Sequence, residues 1–141
     1  MLIYTDGAYS PSTNRGGVGF IVLKDGNELF RYSKHFRNTT NNRMELLAVI
    51  IALESIKNPN EITIITDSMY LVGTITKGWK RKINLDLWER LDKAINRHSK
   101  VIFKWVKGHA GDCWNEQVDK LAVNASQEYY ENEKQEEASG N

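Results

Sequence analysis

The distribution of apolar residues divides the first third of the chain into three strand-like segments. Two of them are residues 1–10 and 16–23, and a third starts at 29–33; all three are rich in residues that favour strands. Asp25-Gly26 separates the second from the third and is typical of a tight hairpin turn. Short connections between successive strands predict an antiparallel meander.

The next predicted element is a helix that is buried in the core. Apolar residues lie on almost every side of the segment 44–56, which is typical of a buried helix. We expect Asn41-Asn42 to supply the N-cap and the Asn-Pro-Asn sequence at 58–60 to end the helix. The continuous apolar and β-branched run 62–66 then predicts a strand buried on both faces.

The rest of the chain alternates helix and strand. The predicted segments are helices at 68–77, at 86–97 and from about residue 114, a strand at 101–106 and a glycine-bearing loop at 107–112. This order predicts one α/β domain, in which a mixed sheet carries helices on its faces. We place the domain at 1–125 and expect 126–141 to hold the end of the last helix and an acidic tail, disordered from Gln135 onward.

Composition narrows the class of protein. The chain has 141 residues, of which 40% are hydrophobic and 26% charged, the size and balance of one soluble globular domain. No run approaches the roughly 18 apolar residues of a membrane span, and the N-terminus lacks the pattern of a signal peptide. The single cysteine, Cys113, cannot form an internal disulfide. A reducing cytoplasm is the simple inference from this cysteine. We further expect a free-standing protein that is a monomer.

The net charge of +1 conceals an uneven distribution. Residues 126–141 contain five Glu and one Lys, a charge of −4 that leaves +5 on residues 1–125. A mildly basic body suits an anionic partner but does not identify one.

Four carboxylates lie beside apolar sequence, where an unpaired charge is costly. Asp6 and Asp67 end two predicted strands, Glu45 lies in the first turn of the buried helix, and Asp119 lies about one turn into the last helix. If the two strands are neighbours, Asp6 and Asp67 meet in the crevice beyond their ends, where open α/β sheets bind ligands. Clustered carboxylates suit Mg²⁺ or Mn²⁺. Two such ions about 4 Å apart can stabilise an in-line displacement at phosphorus.

An ordinary structural explanation exists for each acid taken singly. An Asp after a strand is commonly a turn former or a helix cap, and Glu45 could simply favour the helix dipole. Spacing alone leaves both explanations open.

Five segments occur in an order that identifies a family. They are YTDG at 4–7, TTNNRMEL at 39–46, TDS at 66–68, WVKGHAG at 105–111, and Asn115-Glu116 followed by Asp119 and Leu121-Ala122. Together they closely resemble type 1 ribonuclease H over residues 1–125. The resemblance implies a ribonuclease H-like fold, a five-stranded mixed sheet with three antiparallel strands first and helices on both faces. It also implies endonucleolytic cleavage of the RNA strand of RNA–DNA hybrids, leaving 5′-phosphate and 3′-hydroxyl ends.

The resemblance implies roles for the four acids and for one histidine. Asp6 would contact both of two Mg²⁺ ions, with Mn²⁺ a possible substitute; Glu45 would contact one ion and Asp119 the other, and Asp67 would be a second central ligand. His109 matches a residue that assists proton transfer or product release. A lone histidine is otherwise more often an ordinary surface residue.

Substrate-binding residues follow from the same resemblance. Asn41 and Asn42 match residues that contact sugars and bases in the minor groove of the hybrid, although one of them could be a helix cap. Thr40 and Asn84 match a pocket for a phosphate of the DNA strand. Trp105 is expected to pack in the core.

The chain departs from many bacterial members in one region. Most of a long basic handle is missing, and the short basic segment, residues 77–82, stands in its place. We expect weak hybrid binding, supplied in part by this segment.

Three alternatives to a free-standing enzyme stay open. They are a domain that works only within a reverse transcriptase or replication complex, a non-catalytic hybrid-binding module and a purely structural domain. Four intact acids favour the enzyme, which would remove RNA primers or persistent hybrids.

Overall fold

The structure, a computed structural model, describes residues 1–108 and 112–139, with side chains through Gln127. Its strands are β1 (Leu2–Ser10), β2 (Arg15–Lys24), β3 (Asn27–Arg37), β4 (Glu61–Thr66) and β5 (Lys100–Trp105). Its helices are α1 (Asn41–Ser55), α2 (Met69–Thr76), α3 (Leu85–Asn96) and α4 (Cys113–Ser139).

The strands form one five-stranded mixed sheet in the order β3-β2-β1-β4-β5. β1 pairs antiparallel with β2, and β2 with β3, whereas β4 runs parallel to both β1 and β5. Helix α1 packs on β1 and β2 and against α3, and α4 packs on β1, β2 and β3. The predicted fold class is therefore confirmed, including the three antiparallel strands at the start.

Two apolar clusters lie on opposite faces of the sheet. The larger joins the sheet to α1 and α3, and it buries α1 on nearly every side, as the sequence predicts. The smaller lies beneath α4 and consists of Tyr4, Ile21, Leu23, Ile65 and Val118. Successive residues of a strand point to opposite faces, so Ile3 joins the first cluster while Tyr4 joins the second.

Three details differ from the sequence-based expectations. Thr40, not Asn41-Asn42, caps α1, and its hydroxyl accepts a hydrogen bond from the Arg43 amide at 3.2 Å. Trp105 is 43% exposed because it lies at the end of the edge strand β5, so it is not a core residue. Helix α4 continues to Ser139, where disorder was expected from Gln135 onward.

No helix among the described residues is both long enough and apolar enough to cross a membrane.

Candidate active site

A glycine brings Asp6 and Glu45 together. Helix α1 approaches β1 so closely at Gly7 that a Cβ atom there would lie 2.5 Å from the backbone of Met44 and Glu45. Only glycine fits this approach. The Gly7 amide donates to Asp6 Oδ1 at 2.9 Å and to Glu45 Oε2 at 3.2 Å, so one donor orients both carboxylates.

The parallel pairing of β1 and β4 adds Asp67. Tyr4 lies opposite Ile65 at the end of this pairing, so Asp6 and Asp67 lie level with each other two residues later. Asp67 directly follows β4, as predicted, but Asp6 does not end its strand, because the pairing of β1 with β2 continues to Ser10. One oxygen of each of Asp6, Glu45 and Asp67 lies within 4.8 Å of the others. Asp6 and Glu45 are only 3% and 6% exposed. Three converging hard oxygen ligands fit a divalent metal ion such as Mg²⁺ or Mn²⁺.

The electrostatics of this cluster favour a bound cation. Burial raises the pKa of Asp6, and so do the charges of Glu45 and Asp67 and a hydrogen bond with Asp119. Burial and the charge of Asp67 raise the pKa of Glu45, against the lowering effect of hydrogen bonds from Asp6 and Gly7. Without a cation the cluster therefore retains protons that ordinary carboxyls lose. Mutual repulsion of like charges is the reason that a cation would be stabilising here.

Asp119 lies outside this group of three but beside Asp6. Helix α4 approaches β2 over Gly19, where a Cβ atom would lie 2.9 Å from Leu121 Cβ and 3.1 Å from the Val118 carbonyl oxygen. Gly19 is the partner of Asp6 in the β1–β2 pair. The close approach of the helix thus brings Asp119 within hydrogen-bonding reach of Asp6.

The loop between β5 and α4 begins against Asp67. The Trp105 indole N–H donates to the Asp67 carbonyl at 3.0 Å, and the Val106 amide donates to the Thr66 carbonyl at 2.9 Å. A Cβ atom at Gly108 would lie 2.8 Å from Asp67 Oδ2. His109, the next residue, lies outside the described part of the chain.

The expected substrate-binding residues lie at the starts of two helices. Thr40 caps α1, and Asn41 and Asn42 form its first turn, the first exposed and the second partly buried. Asn84 precedes α3 in the left-handed conformation, with φ of 59°, and its side chain does not cap that helix.

A network that the sequence did not reveal fixes the Asn84 side chain. Its carbonyl oxygen accepts from Arg43 Nη1 at 3.3 Å, and its amide donates to the Tyr70 hydroxyl at 3.3 Å. Arg43 also forms two hydrogen bonds, of 3.0 and 2.8 Å, with the Asp86 carboxylate. Planar, paired contacts of this kind fix geometry, but no motif or spacing indicates them.

The basic segment, residues 77–82, is partly bound to the body of the protein. The Trp79 ring lies over Gly73, where a Cβ atom would be 2.3 Å from the indole. Arg81 forms an ion pair of 2.6 Å with Asp92 and lies over the Trp88 ring, 4.7 Å from its centroid. Lys80 and Lys82 are exposed.

Comparison with known proteins agrees with this geometry. A family model described as RNase H matches residues 1–127. A protein named Ribonuclease H from Desulforamulus reducens is 45% identical over 140 residues, covering 89% of this chain and 87% of the relative. Its counterpart of the same name from Proteus mirabilis is 46% identical over 138 residues, covering 89% and 86%. Among solved structures, LC11-RNase H1 in complex with an RNA/DNA hybrid superposes with a TM-score of 0.81 at 23% identity, covering 92% of this chain and 98% of the other. At this identity the superposition establishes a shared fold.

Proposed function

The chain belongs to the ribonuclease H family, and from this premise we propose that it hydrolyses the RNA strand of RNA–DNA hybrids to 5′-phosphate and 3′-hydroxyl ends. The observation that carries the proposal is the convergence of Asp6, Glu45 and Asp67 within 4.8 Å. The convergence lies directly after β4 and in the middle of β1, just past the last paired residues of these two strands, Tyr4 and Ile65.

Four carboxylates, Asp6, Glu45, Asp67 and Asp119, would hold two Mg²⁺ ions, for which Mn²⁺ is a possible substitute. When bound, such ions supply Lewis-acid stabilisation of the attacking and the leaving oxygen. The protein contributes orientation, because the Gly7 amide fixes the carboxylates of Asp6 and Glu45 before any ligand arrives. It also contributes negative charge that requires cations before a phosphate can approach. No protein nucleophile is needed for this chemistry.

His109 is proposed to assist proton transfer or product release. Its support is the position of the preceding residue, because Gly108 lies against the Asp67 carboxylate. Histidine is the side chain whose charge changes most readily near neutral pH, which suits proton transfer.

Asn41, Asn42, Thr40 and Asn84 are proposed to bind the hybrid. Asn41 and Asn42 would read sugar and base edges in the wide minor groove, where the RNA 2′-hydroxyl distinguishes RNA from DNA. Thr40 and Asn84 would hold a phosphate of the DNA strand. The fixed amide of Asn84, held from α1 by Arg43 and from α2 by Tyr70, supports a rigid phosphate contact.

The biological setting is proposed on the same basis. The protein would act as a cytoplasmic monomer that removes RNA primers or persistent hybrids. A non-catalytic hybrid-binding module is the less favourable alternative, because two buried acids would repel a phosphate without contributing to binding.

The test is cleavage of an end-labelled RNA–DNA hybrid with Mg²⁺, beside duplex RNA and duplex DNA of the same sequence. We expect cuts in the RNA of the hybrid alone, with 3′-hydroxyl ends that a polymerase can extend. The matched control is Asp6→Asn, which retains the side-chain shape and removes one charge. Intact hybrid, or equal cleavage of all three duplexes, would contradict the proposal.

A further inference from the structure

Asp112 has two structural roles at the start of α4. Its Oδ1 atom accepts hydrogen bonds from the amides of Trp114 and Asn115 at 3.0 and 3.1 Å. This is the arrangement of a helix N-cap. Its other carboxylate oxygen, Oδ2, accepts a hydrogen bond from the Tyr4 hydroxyl at 3.3 Å.

Tyr4 is held firmly by its surroundings. It lies on β1, two residues before Asp6, and its side chain is 8% exposed within the apolar cluster beneath α4. Val118 of α4 belongs to the same cluster, and Trp114 packs against it. A hydroxyl on a ring fixed in this way is an anchor whose position is set by the sheet.

The hydrogen bond between Tyr4 and Asp112 fixes the last residue before α4 to the sheet. The first end of the loop between β5 and α4 is fixed to β4, because Trp105 donates to the Asp67 carbonyl and Gly108 lies against the Asp67 carboxylate. The second end is fixed to β1, because Asp112 accepts from Tyr4. The two strands that carry Asp67 and Asp6 therefore each hold one end of the loop that contains His109.

The same contact sets the position of α4. Asp112 immediately precedes the helix, and Asp119 follows seven residues later, two helical turns along. Misplacement by about 1 Å can cost about 100-fold in rate, because catalysis depends on the geometry of the reacting groups.

We infer that Tyr4 and Asp112 are positioning residues for the proposed reaction. Their hydrogen bond fixes the start of α4, the helix that carries Asp119, to the strand that carries Asp6. The catalytic part of this inference rests on the proposed function, and the hydrogen bond itself does not.

Two substitutions separate the anchor from the cap. Tyr4→Phe removes the hydroxyl and keeps the ring in the core. Asp112→Ser keeps a good N-cap residue, but its shorter side chain does not reach Tyr4. Asp112→Asn retains both a cap oxygen and a polar group that can bond to Tyr4, so this variant should behave almost like the wild type. Tyr32→Phe is the control, because Tyr32 stacks on Phe20 in the sheet, away from the loop.

The first measurement is amide hydrogen exchange of the segment 106–116 in the metal-free protein. We expect roughly tenfold faster exchange in Tyr4→Phe and Asp112→Ser, because a local contact that closes the segment is lost. Asp112→Asn and Tyr32→Phe should resemble the wild type. Unchanged exchange in Tyr4→Phe would overturn the inference.

The second measurement is steady-state cleavage of the hybrid. We expect kcat to fall about tenfold in both variants with KM nearly unchanged, and the double variant to be no slower than the slower single variant. A double variant whose loss is the product of the two single losses would show that Tyr4 and Asp112 act independently and would overturn the inference. Faster exchange with an unchanged kcat would overturn the catalytic role. Failure of the wild-type protein to cleave any hybrid would overturn the proposed function, and the exchange measurement would still test the hydrogen bond.

Discussion

Asp6 of a strand and Glu45 of a helix, 39 positions apart in the sequence, share one hydrogen-bond donor, the amide of Gly7. The sharing is possible because α1 touches β1 at a position where no side chain fits. Two acids that would otherwise repel are held in one orientation, so the site is formed by the fold and needs no rearrangement to present its oxygens.

Gly7→Ala should therefore disable the site and destabilise the fold. The new methyl group would lie 2.5 Å from backbone atoms of α1, which cannot move aside as a flexible side chain can. We expect a loss of at least about 2 kcal/mol in the free energy of unfolding and loss of hybrid cleavage. Urea denaturation and the cleavage assay measure the two effects.

The control for this substitution is Gly26→Asn, in the turn between β2 and β3. Gly26 has open space around it and a φ of 79°, a conformation that Asn tolerates better than other residues. Its stability and activity should stay near those of the wild type. Normal stability in Gly7→Ala would show that α1 is not held against β1 as described.

Asp6→Asn and Asp67→Asn should each abolish cleavage while the fold survives. Each removes one charge from a group of acids that repel one another, so the melting temperature of the metal-free protein should stay the same or rise. Asp25→Asn, at an exposed turn with φ of 52°, is the control and should retain activity. Wild-type turnover in either site variant would remove the two-metal mechanism.

The stability of the metal-free protein should decrease as the pH rises. The pKa values of Asp6 and Glu45 are raised in the folded state, chiefly by burial. The folded state therefore binds more protons than the unfolded state above about pH 5, where ordinary carboxyls have ionised. The contribution of these two groups to the free energy of unfolding is complete below that pH. It is lost as the pH rises toward their raised pKa values.

Urea midpoints between pH 5 and pH 8 in the presence of a chelator test this dependence. Asp6→Asn should flatten the curve, because it removes one of the two groups that titrate. Added Mg²⁺ should restore stability most at the alkaline end, where the ionised ligands bind it best. A midpoint that is the same at both ends of the range in the metal-free wild type would contradict the raised pKa values.

His109→Ala should slow turnover by about 100- to 10,000-fold, the usual contribution of a general acid or base, and leave measurable activity. Metal binding, followed by the rise in melting temperature with Mg²⁺, should stay near normal, unlike in Asp67→Asn. Complete loss of metal stabilisation would identify His109 as a ligand and not an auxiliary residue.

Sequence reasoning located the parts of the site that depend on regular periodicity. Asp6 and Asp67 each follow an apolar run of strand residues, and neighbouring parallel strands bring such positions level with each other, although β1 itself continues past Asp6. Their approach could therefore be expected once the strand order was known. The place of Asp119 could not, because it depends on how closely α4 crosses Gly19.

Contacts between side chains that are distant in the sequence could not be predicted from it. Tyr4 and Asp112 are 108 residues apart, and no local pattern pairs a strand tyrosine with a helix cap. Trp105 was expected in the core on account of its apolar ring. It is exposed because β5 forms the edge of the sheet, and the sheet order depends on pairing between distant segments.

The structure also changes what the basic segment can contribute to hybrid binding. The guanidinium of Arg81 is shared between Asp92 and the Trp88 ring, so binding a phosphate would require it to give up contacts within the protein. Lys80 and Lys82 extend from the same segment and are exposed. Two lysines, not three cations, should therefore account for most of the salt-dependent binding by residues 80–82.

Replacing Lys80 and Lys82 together by Ala should raise KM for the hybrid and leave kcat little changed, because the acids of the site are elsewhere. Each lysine that neutralises a phosphate contributes about 0.9 to the slope of log affinity against log salt, so the slope should flatten by up to about two.

Adding Arg81→Ala to this double variant should flatten the slope little further. The matched control replaces Lys24 and Lys57, both exposed. Lys24 is the last residue of β2, five positions beyond Gly19, the partner of Asp6, and the slope in this control should not change. Binding measured by fluorescence anisotropy with an uncleavable hybrid at several salt concentrations gives both slopes. An equal effect in the two double variants would mean that general charge attracts the hybrid, whereas an unchanged slope at Lys80 and Lys82 would mean that this segment does not touch the backbone of the hybrid.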